Sequence, residues 1–304
     1  MTRPKAIVLT GPTGSGKSRL AIAAAQALGG EIINADSLAF YRGLDIGSAK
    51  PTLTERALVP HHLFDIVDPD EDFDAAAYLS LARPLVEQLN RSGRPVLIVG
   101  GAGLYLRSLT KGLFAGPGKQ AAIRAELRRL VALGQDPYAL LAREDPQAAA
   151  KINPRDYVRV ERALEVFRAT GQSIVNFQEN HRLADRPFET LILVIDRPTA
   201  ELDQDLWART EKMLQDGLLE ETASLLKRWP GDLKPLLAIG YREAQACLAG
   251  TLTLEATKLM IYRRTRRLAK RQRTWFRGQT SEGLWVKPEP ELVINLIRDF
   301  WAAG

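Results

Sequence analysis

The chain has 304 residues, 45% of them hydrophobic and 26% charged, and carries a net charge of +6. This composition is typical of a soluble globular protein with one main domain and an insertion, and the single cysteine, Cys247, excludes an internal disulfide. Three histidines without a Cys-x-x-Cys motif argue against structural zinc, and no apolar run is long enough to span a membrane. We therefore expect a reduced, cytoplasmic protein without a membrane contact.

The first predicted element is an apolar strand at 6–9 that leads into a glycine-rich loop, Gly11-Pro12-Thr13-Gly14-Ser15-Gly16-Lys17-Ser18. A helix is predicted from about Lys17 to Leu28, and this strand–loop–helix context is the one in which G-x-x-x-x-G-K-S binds phosphate. The glycines let backbone N–H groups converge on one anion, and the helix start adds the positive end of its dipole. Lys17 supplies a charge, and the Ser18 hydroxyl is placed to hold a Mg²⁺ ion shared with the phosphates.

A second strand is predicted at 31–34, which places Asp36 beyond the carboxyl end of a strand, where an open parallel sheet keeps its ligand crevice. An aspartate before a helix can also be a simple N-cap, and that alternative stays open. The stretch 52–72 is predicted to be irregular. We expect structural or substrate-shaping roles for His61 and His62 rather than metal binding, because neighbours on a strand point to opposite faces.

A helix is predicted over 75–90, followed by an apolar run at 95–101 that predicts a buried parallel strand. This strand ends in Gly100-Gly101, whereas a nucleotide-hydrolysing phosphate-loop protein usually carries its magnesium-binding acid there. The missing acid gives an argument against ATP hydrolysis.

The stretch 112–118 is rich in glycine and predicts a domain boundary. Beyond it, short helices are predicted over 120–133, 137–143, 146–151 and 157–170, before a buried strand at 189–196. We therefore expect an α/β fold, a P-loop NTPase-like parallel sheet flanked by helices, with an all-helical insertion domain. The core with its C-terminal basic helices is assigned to 1–115 and 188–304, and the insertion to 116–187.

The C-terminal part is predicted to be helical, with a long amphipathic helix over 200–229 that breaks near Gly217, a helix opening at 238–243, a basic helix over 254–276 and a closing helix over 288–304. Nine Lys or Arg and no Asp or Glu lie between 258 and 277. A solvated face is the usual reason for such a run. Here the lack of compensating acids and the neighbouring Trp275 favour contact with nucleic acid.

Several segments together resemble the tRNA dimethylallyltransferases, also called tRNA isopentenyltransferases. The most specific are 41–51 (YRGLDIGSAKP) and 270–277 (KRQRTWFR). The others are the phosphate loop, 34–37 (NADS), 59–63 (VPHHL), 100–105 (GGAGLY), 162–165 (RALE) and 240–242 (GYR). The resemblance covers the chain from Lys5 to about Arg277.

This resemblance implies transfer of a dimethylallyl group from dimethylallyl pyrophosphate to N6 of adenosine 37, beside the tRNA anticodon, with release of pyrophosphate. Gly11 to Ser18 and Arg209 would hold the pyrophosphate with Mg²⁺ at Ser18. Asp36 matches the family's catalytic aspartate and would take a proton from the adenine amine. Lys17 and Thr13 complete the implied catalytic set.

The implied partner is the anticodon stem-loop of tRNA, from which the target base must be extruded. A monomer is expected to suffice for a ligand of this size. The residues assigned to tRNA are Asp36, Ser37, Leu38, Ala39, Ala102, Arg124, Arg159, Arg162, Gly240, Tyr241, Arg242, Lys270, Arg271, Gln272, Arg273, Trp275 and Arg277.

The chain departs from the family pattern at two positions. Ala102 replaces a threonine near the RNA, which removes one hydrogen bond. In the family's L-x-x-R-I-x-x-R segment, Asp205 replaces the first arginine and only Arg209 is kept. Because an acid would repel pyrophosphate, either Arg209 or another basic group substitutes, Asp205 binds magnesium, or the site geometry differs.

Three alternatives stay open. The first is a small-molecule kinase that uses ATP at the same loop, and the second is an enzyme that prenylates free AMP. The third is a non-catalytic RNA-binding protein that has kept a phosphate loop. The basic helix argues against the first two, because neither needs a surface for a polyanion.

Overall fold

The computed structural model describes residues 3–114, 116–181, 185–280 and 282–303. The backbone divides into two compact units, one comprising Met1–Thr110 with Pro187–Gly304 and the other Lys111–Arg186. Every strand found in the described residues belongs to the first unit. The domain limits at 115/116 and 187/188 stay a prediction, and Ala115 and 182–184 near them lie outside the described residues.

The described residues form one parallel sheet. Its strands are β1 (Lys5–Thr10), β2 (Glu31–Asn34), β3 (His61–His62), β4 (Val96–Val99), β5 (Glu189–Ile195) and β6 (Leu284–Val286). Their order across the sheet is β3-β2-β4-β1-β5-β6. The central strand β1 pairs Val8 with Ile98 on β4 and with Ile192 on β5. The loops after β1, β2 and β4 therefore meet at one edge of the sheet, where open parallel sheets bind ligands.

Helices make up most of the remaining chain. They are α1 (Lys17–Leu28), α2 (Leu53–Leu58), α3 (Ala75–Arg91), α4 (Gly103–Lys111), α5 (Ala121–Ala132), α6 (Pro137–Glu144), α7 (Pro146–Ala149), α8 (Tyr157–Thr170), α9 (Ile174–His181), α10 (Thr199–Gln215), α11 (Leu218–Leu226), α12 (Tyr241–Leu248), α13 (Leu254–Gln279) and α14 (Pro290–Ala302). A 3₁₀ turn covers Lys234–Leu237. Within the described ranges, no helix combines the length and the apolar character that crossing a bilayer requires.

The core of the α/β unit forms where apolar strands meet alanine-rich and apolar helices. Ile7 and Leu9 of β1 are fully buried and share a cluster with Ala21 and Ala24 of α1 and with Ile297 of α14. Because alanine is short, α1 can lie close to the sheet, and this fixes the position of its first turn relative to β1. The helical unit has its own cluster, built on α5, α6 and α8.

The structure confirms the predicted fold class and the four predicted strands, which are β1, β2, β4 and β5. The stretch 52–72 was predicted to be irregular, and this was wrong, because α2 and β3 lie in it. Helix α9 and strand β6 had no prediction. The predicted long helix is broken into α10 and α11 at Gly217, whose φ of 101° is left-handed and suits glycine.

Candidate active site

The phosphate loop follows β1 along a path that only glycine fits at its first position. A Cβ on Gly11 would lie 2.4 Å from the Ile195 carbonyl oxygen on β5. Helix α1 begins at Lys17 after Gly16, whose φ is 85°, and no side chain caps its N-terminus. The first amides of a helix have no intrahelical acceptor, so these N–H groups remain available for an anion.

Two cavities open at this edge of the sheet. The first, here the loop cavity, has an open volume of about 580 Å³ and is lined by Lys17, Ser18 and Arg209 among others. The second, here the outer cavity, has about 1420 Å³. Four residues line both: Thr13, Asp36, Ser48 and Arg209. A ligand in the loop cavity and a second molecule in the outer cavity would therefore meet at these four side chains.

The Asp36 side chain is held at this junction by the turn that follows β2. Its amide donates to Asn34 Oδ1 (2.8 Å), and its Oδ1 accepts from the Leu38 amide (3.1 Å). The other carboxylate oxygen, Oδ2, accepts no hydrogen bond within the described part of the chain. Residues 37–40 form turns rather than a helix, so Asp36 is not a helix N-cap. One oxygen thus positions the group while the other is available to a ligand.

The cations of the site are only partly compensated. Burial lowers the pKa of the Lys17 ammonium to about 8, against the opposing effect of Asp36, and the nearby Arg209 lowers it further. Burial likewise lowers the pKa of Arg209, again with Asp36 opposing it. Arg209 donates to Thr13 Oγ1 (3.2 Å). Groups that are destabilised in their charged form and face a cavity form a site that favours an anion.

The side chains at this position that could hold a metal ion offer hard oxygen donors. Ser18 contributes a hydroxyl and Asp36 a carboxylate to the lining of the loop cavity, and these are ligands that Mg²⁺ prefers. No group of three or more His, Cys, Asp or Glu that could hold a metal occurs among the residues that the structure describes. The donors fit a Mg²⁺ ion held jointly with ligand phosphates, which is how Mg²⁺ usually binds.

The paired histidines take separate roles on β3. His61 lines the loop cavity, and its Nδ1 lies 2.8 Å from the Val59 carbonyl oxygen. His62 points elsewhere, with its Nε2 2.6 Å from the buried Glu31 carboxylate. The two rings are therefore not joint ligands of one ion.

Sequence reasoning missed two groups that shape the cavities. Lys50, whose side chain is 2% exposed, lines the loop cavity and donates to the Tyr41 carbonyl oxygen and to Asp65. Glu221 on α11 accepts from the amides of Ile46 and Gly47. Tyr41, Ile46, Gly47 and Lys50 all lie in the specific segment 41–51, which was the signal available, but Glu221 on α11 lies far along the chain.

Several residues assigned to RNA surround the outer cavity. Ser37, Leu38, Ala102 and Gln272 line it, while Ala39 lies in the loop cavity. Trp275 packs closely on Gly103, where a Cβ would lie 2.5 Å from the indole ring.

The segment Gly240-Tyr241-Arg242 begins α12 and presents its residues differently. Gly240 has a left-handed φ of 100°. Tyr241 is fully buried, and its hydroxyl donates to Glu221 (2.6 Å). Arg242 is exposed. Of these three, Arg242 is the residue whose side chain reaches solvent.

Helix α13 is less uniformly basic than its sequence indicates, because acids from other elements neutralise part of it. The prediction that compensating acids are lacking was wrong. Acids of other elements lie within 4.0 Å of the α13 cations in the described part of the chain: Glu211 with Lys258 (3.4 Å), Glu243 with Arg264 (2.6 Å), Asp203 with Arg266 (2.9 Å) and Asp196 with Arg273 (2.5 Å). The exposed cations that form the remaining basic face are Arg263, Arg267, Lys270, Arg271 and Arg277.

Two of the arginines assigned to RNA in the helical unit are engaged within it. Arg124 contacts both oxygens of the buried Glu165 (2.6 and 2.9 Å), and Arg162 contacts the same carboxylate (2.5 Å). Burial would raise the pKa of Glu165, but hydrogen bonds from Arg124, the Gln120 amide and Arg162 lower it to about 2. Arg159, by contrast, has a side chain that is 76% exposed and lies 3.3 Å from Asp156.

Asp205 does not line either cavity. Its carboxylate pairs with Arg197, which also contacts Glu201 (3.2 Å). Asp205, the acid at the position of the family arginine, is therefore neutralised by Arg197. Of positions 205 and 209, only Arg209 lines the cavities.

The parallel sheet and the glycine-rich loop after its central strand define a P-loop NTPase-like fold, and two cavities with shared lining residues lie at the end of that loop. Comparisons with known proteins identify the family to which the chain belongs. The profile of the IPP transferase family matches residues 39–279, and that of isopentenyl transferases matches residues 4–67. The chain belongs to the IPP transferase family and is a prenyltransferase.

Curated relatives cover nearly the whole chain. A tRNA dimethylallyltransferase from Geobacter metallireducens is 46% identical over 94% of this chain and 93% of its own. Among solved structures, the tRNA isopentenylpyrophosphate transferase of Bacillus halodurans superposes with a TM-score of 0.73 at 34% identity, covering 99% of this chain and 96% of its own. A eukaryotic dimethylallyltransferase acting on tRNA gives a TM-score of 0.85 at 28% identity, with coverages of 98% and 80%.

Proposed function

We propose that this chain transfers a dimethylallyl group from dimethylallyl pyrophosphate to N6 of adenosine 37 in tRNA and releases pyrophosphate. The observation that carries the proposal is the position of Asp36, which lines both cavities beside Lys17 and Arg209. The loop cavity takes the diphosphate, and the outer cavity takes the adenine base.

Pyrophosphate leaves as the allylic carbon–oxygen bond breaks, and it carries the bonding electron pair with it. Lys17, Arg209 and the amides at the start of α1 stabilise the charge that develops on the departing oxygen. One such preorganised donor is typically worth about 10²–10³ in rate. Ser18 would hold a Mg²⁺ ion, which would neutralise further charge of the diphosphate.

The adenine amine is a weak nucleophile, because its lone pair is delocalised into the ring. As the new carbon–nitrogen bond forms, Asp36 takes the proton that the nitrogen loses. Its Oδ2 carries no hydrogen bond from the described protein groups, while Oδ1 holds the carboxylate in place through the Leu38 amide. General-base assistance of this kind contributes on the order of 10²–10⁴ in rate.

The tRNA contact is proposed for the exposed cations of α13 and for Arg242, which carry net positive charge towards solvent. In the helical unit, Arg159 is the exposed candidate for a phosphate contact. We further propose a monomer, because a single chain carries both cavities, and a cytoplasmic location.

The test is mass spectrometry of nucleosides from unmodified tRNA after incubation with the chain, dimethylallyl pyrophosphate and Mg²⁺. We expect dimethylallyl adenosine at position 37 and none in a matched tRNA with guanosine at that position. AMP and ATP serve as competing substrates. Equal turnover on AMP, or ATP turnover without prenyl transfer, would contradict the proposal in favour of an AMP-specific enzyme or a kinase.

A further inference from the structure

Helix α13 touches the phosphate loop through one amide side chain. Gln272 Oε1 accepts a hydrogen bond from the Thr13 backbone amide (2.8 Å), and its Nε2 donates to the Gly101 carbonyl oxygen (3.0 Å). Thr13 belongs to the loop after β1 and Gly101 to the loop after β4. The orientation of the Gln272 amide follows from these partners. The Thr13 N–H needs an acceptor, which is Oε1, and the Gly101 carbonyl oxygen needs a donor, which is Nε2.

The loop after β4 is shaped to admit this side chain. A Cβ on Gly101 would lie 2.5 Å from Gln272 Nε2, closer than real Cβ contacts come. The φ of Gly101 lies outside the left-handed region, so a side chain there would be opposed by the Gln272 amide, which would have to move, and not by the backbone angle. The second glycine after β4 is therefore explained by the amide that crosses it.

Thr13 is consequently fixed from two directions. Its amide is held by Gln272, and its hydroxyl accepts from Arg209 (3.2 Å). Thr13 lines both cavities, so its position sets the border between them. On the same helix, Lys270 and Arg271 are exposed, whereas Gln272 is only partly exposed and directs its amide into the protein.

We propose that Gln272 is a positioning residue of the phosphate loop, and that it acts on diphosphate binding rather than on RNA affinity. The inference rests on the proposed function, because it assigns the diphosphate to this loop. The proposal gives Gln272 a different role from Lys270 and Arg271, although all three were assigned to RNA from the sequence.

The test compares Gln272→Met with Arg271→Met, two changes at adjacent positions of α13. Methionine keeps a similar length and removes both hydrogen bonds. We expect Gln272→Met to weaken binding of inorganic pyrophosphate with Mg²⁺ by about tenfold, the size expected for loss of two hydrogen bonds. Its affinity for the anticodon stem-loop stays within about twofold of wild type. Arg271→Met should weaken binding of the stem-loop and leave pyrophosphate binding unchanged, because it removes a charge that can contact an RNA phosphate.

Binding of pyrophosphate is measured by calorimetry and binding of the stem-loop by fluorescence anisotropy at fixed salt. Retained stem-loop binding shows that the Gln272→Met protein is folded. If Gln272→Met weakened the stem-loop as much as Arg271→Met does and left pyrophosphate binding unchanged, the proposal would be overturned.

Gly101→Ala provides an independent test that leaves Gln272 in the chain. The added methyl group displaces the amide, so we expect about tenfold weaker pyrophosphate binding in the wild-type background. In the Gln272→Ala background the added methyl group meets no amide, and we expect Gly101→Ala to change pyrophosphate binding by less than twofold. Equal effects of Gly101→Ala in both backgrounds would overturn the proposal, because residues that act through one contact are not additive.

Neither experiment requires prenyl transfer. If the wild-type chain bound pyrophosphate but modified no tRNA, the proposed function would fail while the pattern among the variants could still support the role of Gln272. If the wild-type chain did not bind pyrophosphate, both proposals would fall.

Discussion

Arg168 in the helical unit and Arg209 beside the phosphate loop are both partly buried, yet their pKa values move in opposite directions. Two hydrogen bonds to Glu144 (both 2.8 Å) raise the pKa of Arg168. Burial lowers the pKa of Arg209, and the charge of Asp36 compensates it only in part. The first charge is satisfied inside the protein, and the second is satisfied only when an anion arrives.

This contrast separates a structural cation from a functional one better than the residue type does. Arg124 and Arg162 share the buried carboxylate of Glu165, so their charges stabilise the helical unit. Lys17 is a functional cation like Arg209, because burial lowers its pKa to about 8. An uncompensated buried charge lowers stability, and a ligand that binds only the folded state restores it.

The largest effect is expected for Asp36→Asn. Asparagine keeps an oxygen for the Leu38 amide but cannot take a proton, so the transfer rate should fall by about 10²–10⁴. Without Mg²⁺, pyrophosphate should bind as tightly as in wild type or more tightly, because a negative charge near Lys17 and Arg209 is removed. Single-turnover rates from nucleoside mass spectrometry and calorimetric titration check both statements. A variant with normal transfer would show that another group accepts the proton.

Arg209→Met and Arg168→Met form a matched pair that tests the contrast directly. The first should weaken pyrophosphate binding by about 10- to 100-fold without lowering the free energy of unfolding, because a poorly compensated charge is removed. The second should leave pyrophosphate binding unchanged and lower the free energy of unfolding by about 2 kcal/mol, because Glu144 loses its bidentate partner. Chemical denaturation and calorimetry give the two quantities. Similar changes in both quantities for the two variants would show that Arg168 and Arg209 do not differ in role.

Much of the α/β unit was predictable from sequence, because β1, β4 and β5 each contain an apolar run of at least four residues. The shorter β2 has only Ile32 and Ile33 as apolar residues, but it lies between a predicted helix and a polar turn. The position of Asp36 followed from the same reasoning, since it only requires knowing where a strand ends. The edge strands β3 and β6 have two and three residues and carry no periodic signal. Leu284 at the start of β6 is 48% exposed, so burial gave no hint of it.

The rest of the site depends on partners that lie far apart in the chain. A sequence without acids between 258 and 277 shows nothing about the acids that pack against it from α10, α12 and the end of β5. The contact of Gln272 with Thr13 spans 259 positions for the same reason. Local sequence patterns predict elements, whereas the pairing of charges is decided by tertiary packing.

The pH dependence of pyrophosphate binding tests the charge on Lys17. Because its pKa is about 8, the free protein loses this charge as the pH rises from 7 to 9, and affinity should fall by up to about tenfold per pH unit above 8. Lys17→Arg keeps its charge throughout, so the ratio of the two affinities cancels the titration of pyrophosphate itself. A ratio that does not change with pH would show that Lys17 stays charged.

Stability should respond to the same group in the opposite sense. The pKa of Lys17 is lower in the folded protein than the ordinary value of 10.5, so the unfolded chain binds more protons between about pH 8 and 10.5. The Lys17 contribution to the free energy of unfolding therefore rises with pH across that window. Denaturation of wild type and Lys17→Met at pH 7 and pH 10 measures this contribution. The amount by which the free energy of unfolding of Lys17→Met exceeds that of wild type should shrink or reverse as the pH increases.

The basic face of α13 gives a smaller, electrostatic effect. Arg267 and Arg271 are exposed, and each phosphate contact contributes about 0.7–0.9 to the slope of log affinity against log salt. Replacing both with Met should lower the slope for the stem-loop by about 1.5. Arg266→Met is the control, because Asp203 already neutralises Arg266 (2.9 Å). An equal change in the control would mean that net charge matters and the particular face does not.

The smallest effect is expected at Asp205, and its size decides between explanations of the departure from the family pattern. Since the carboxylate pairs with Arg197 and lines neither cavity, Asp205→Ala should change pyrophosphate affinity and the Mg²⁺ requirement by less than about twofold. Glu201 remains as a partner for Arg197 (3.2 Å), so the variant should fold normally. A large gain in affinity would mean that the acid repels the diphosphate despite Arg197. A large loss, together with a higher Mg²⁺ requirement, would mean that Asp205 turns towards the ion. Either result would place Asp205 among the ligand-dependent charges of the loop cavity instead of the internally satisfied ones.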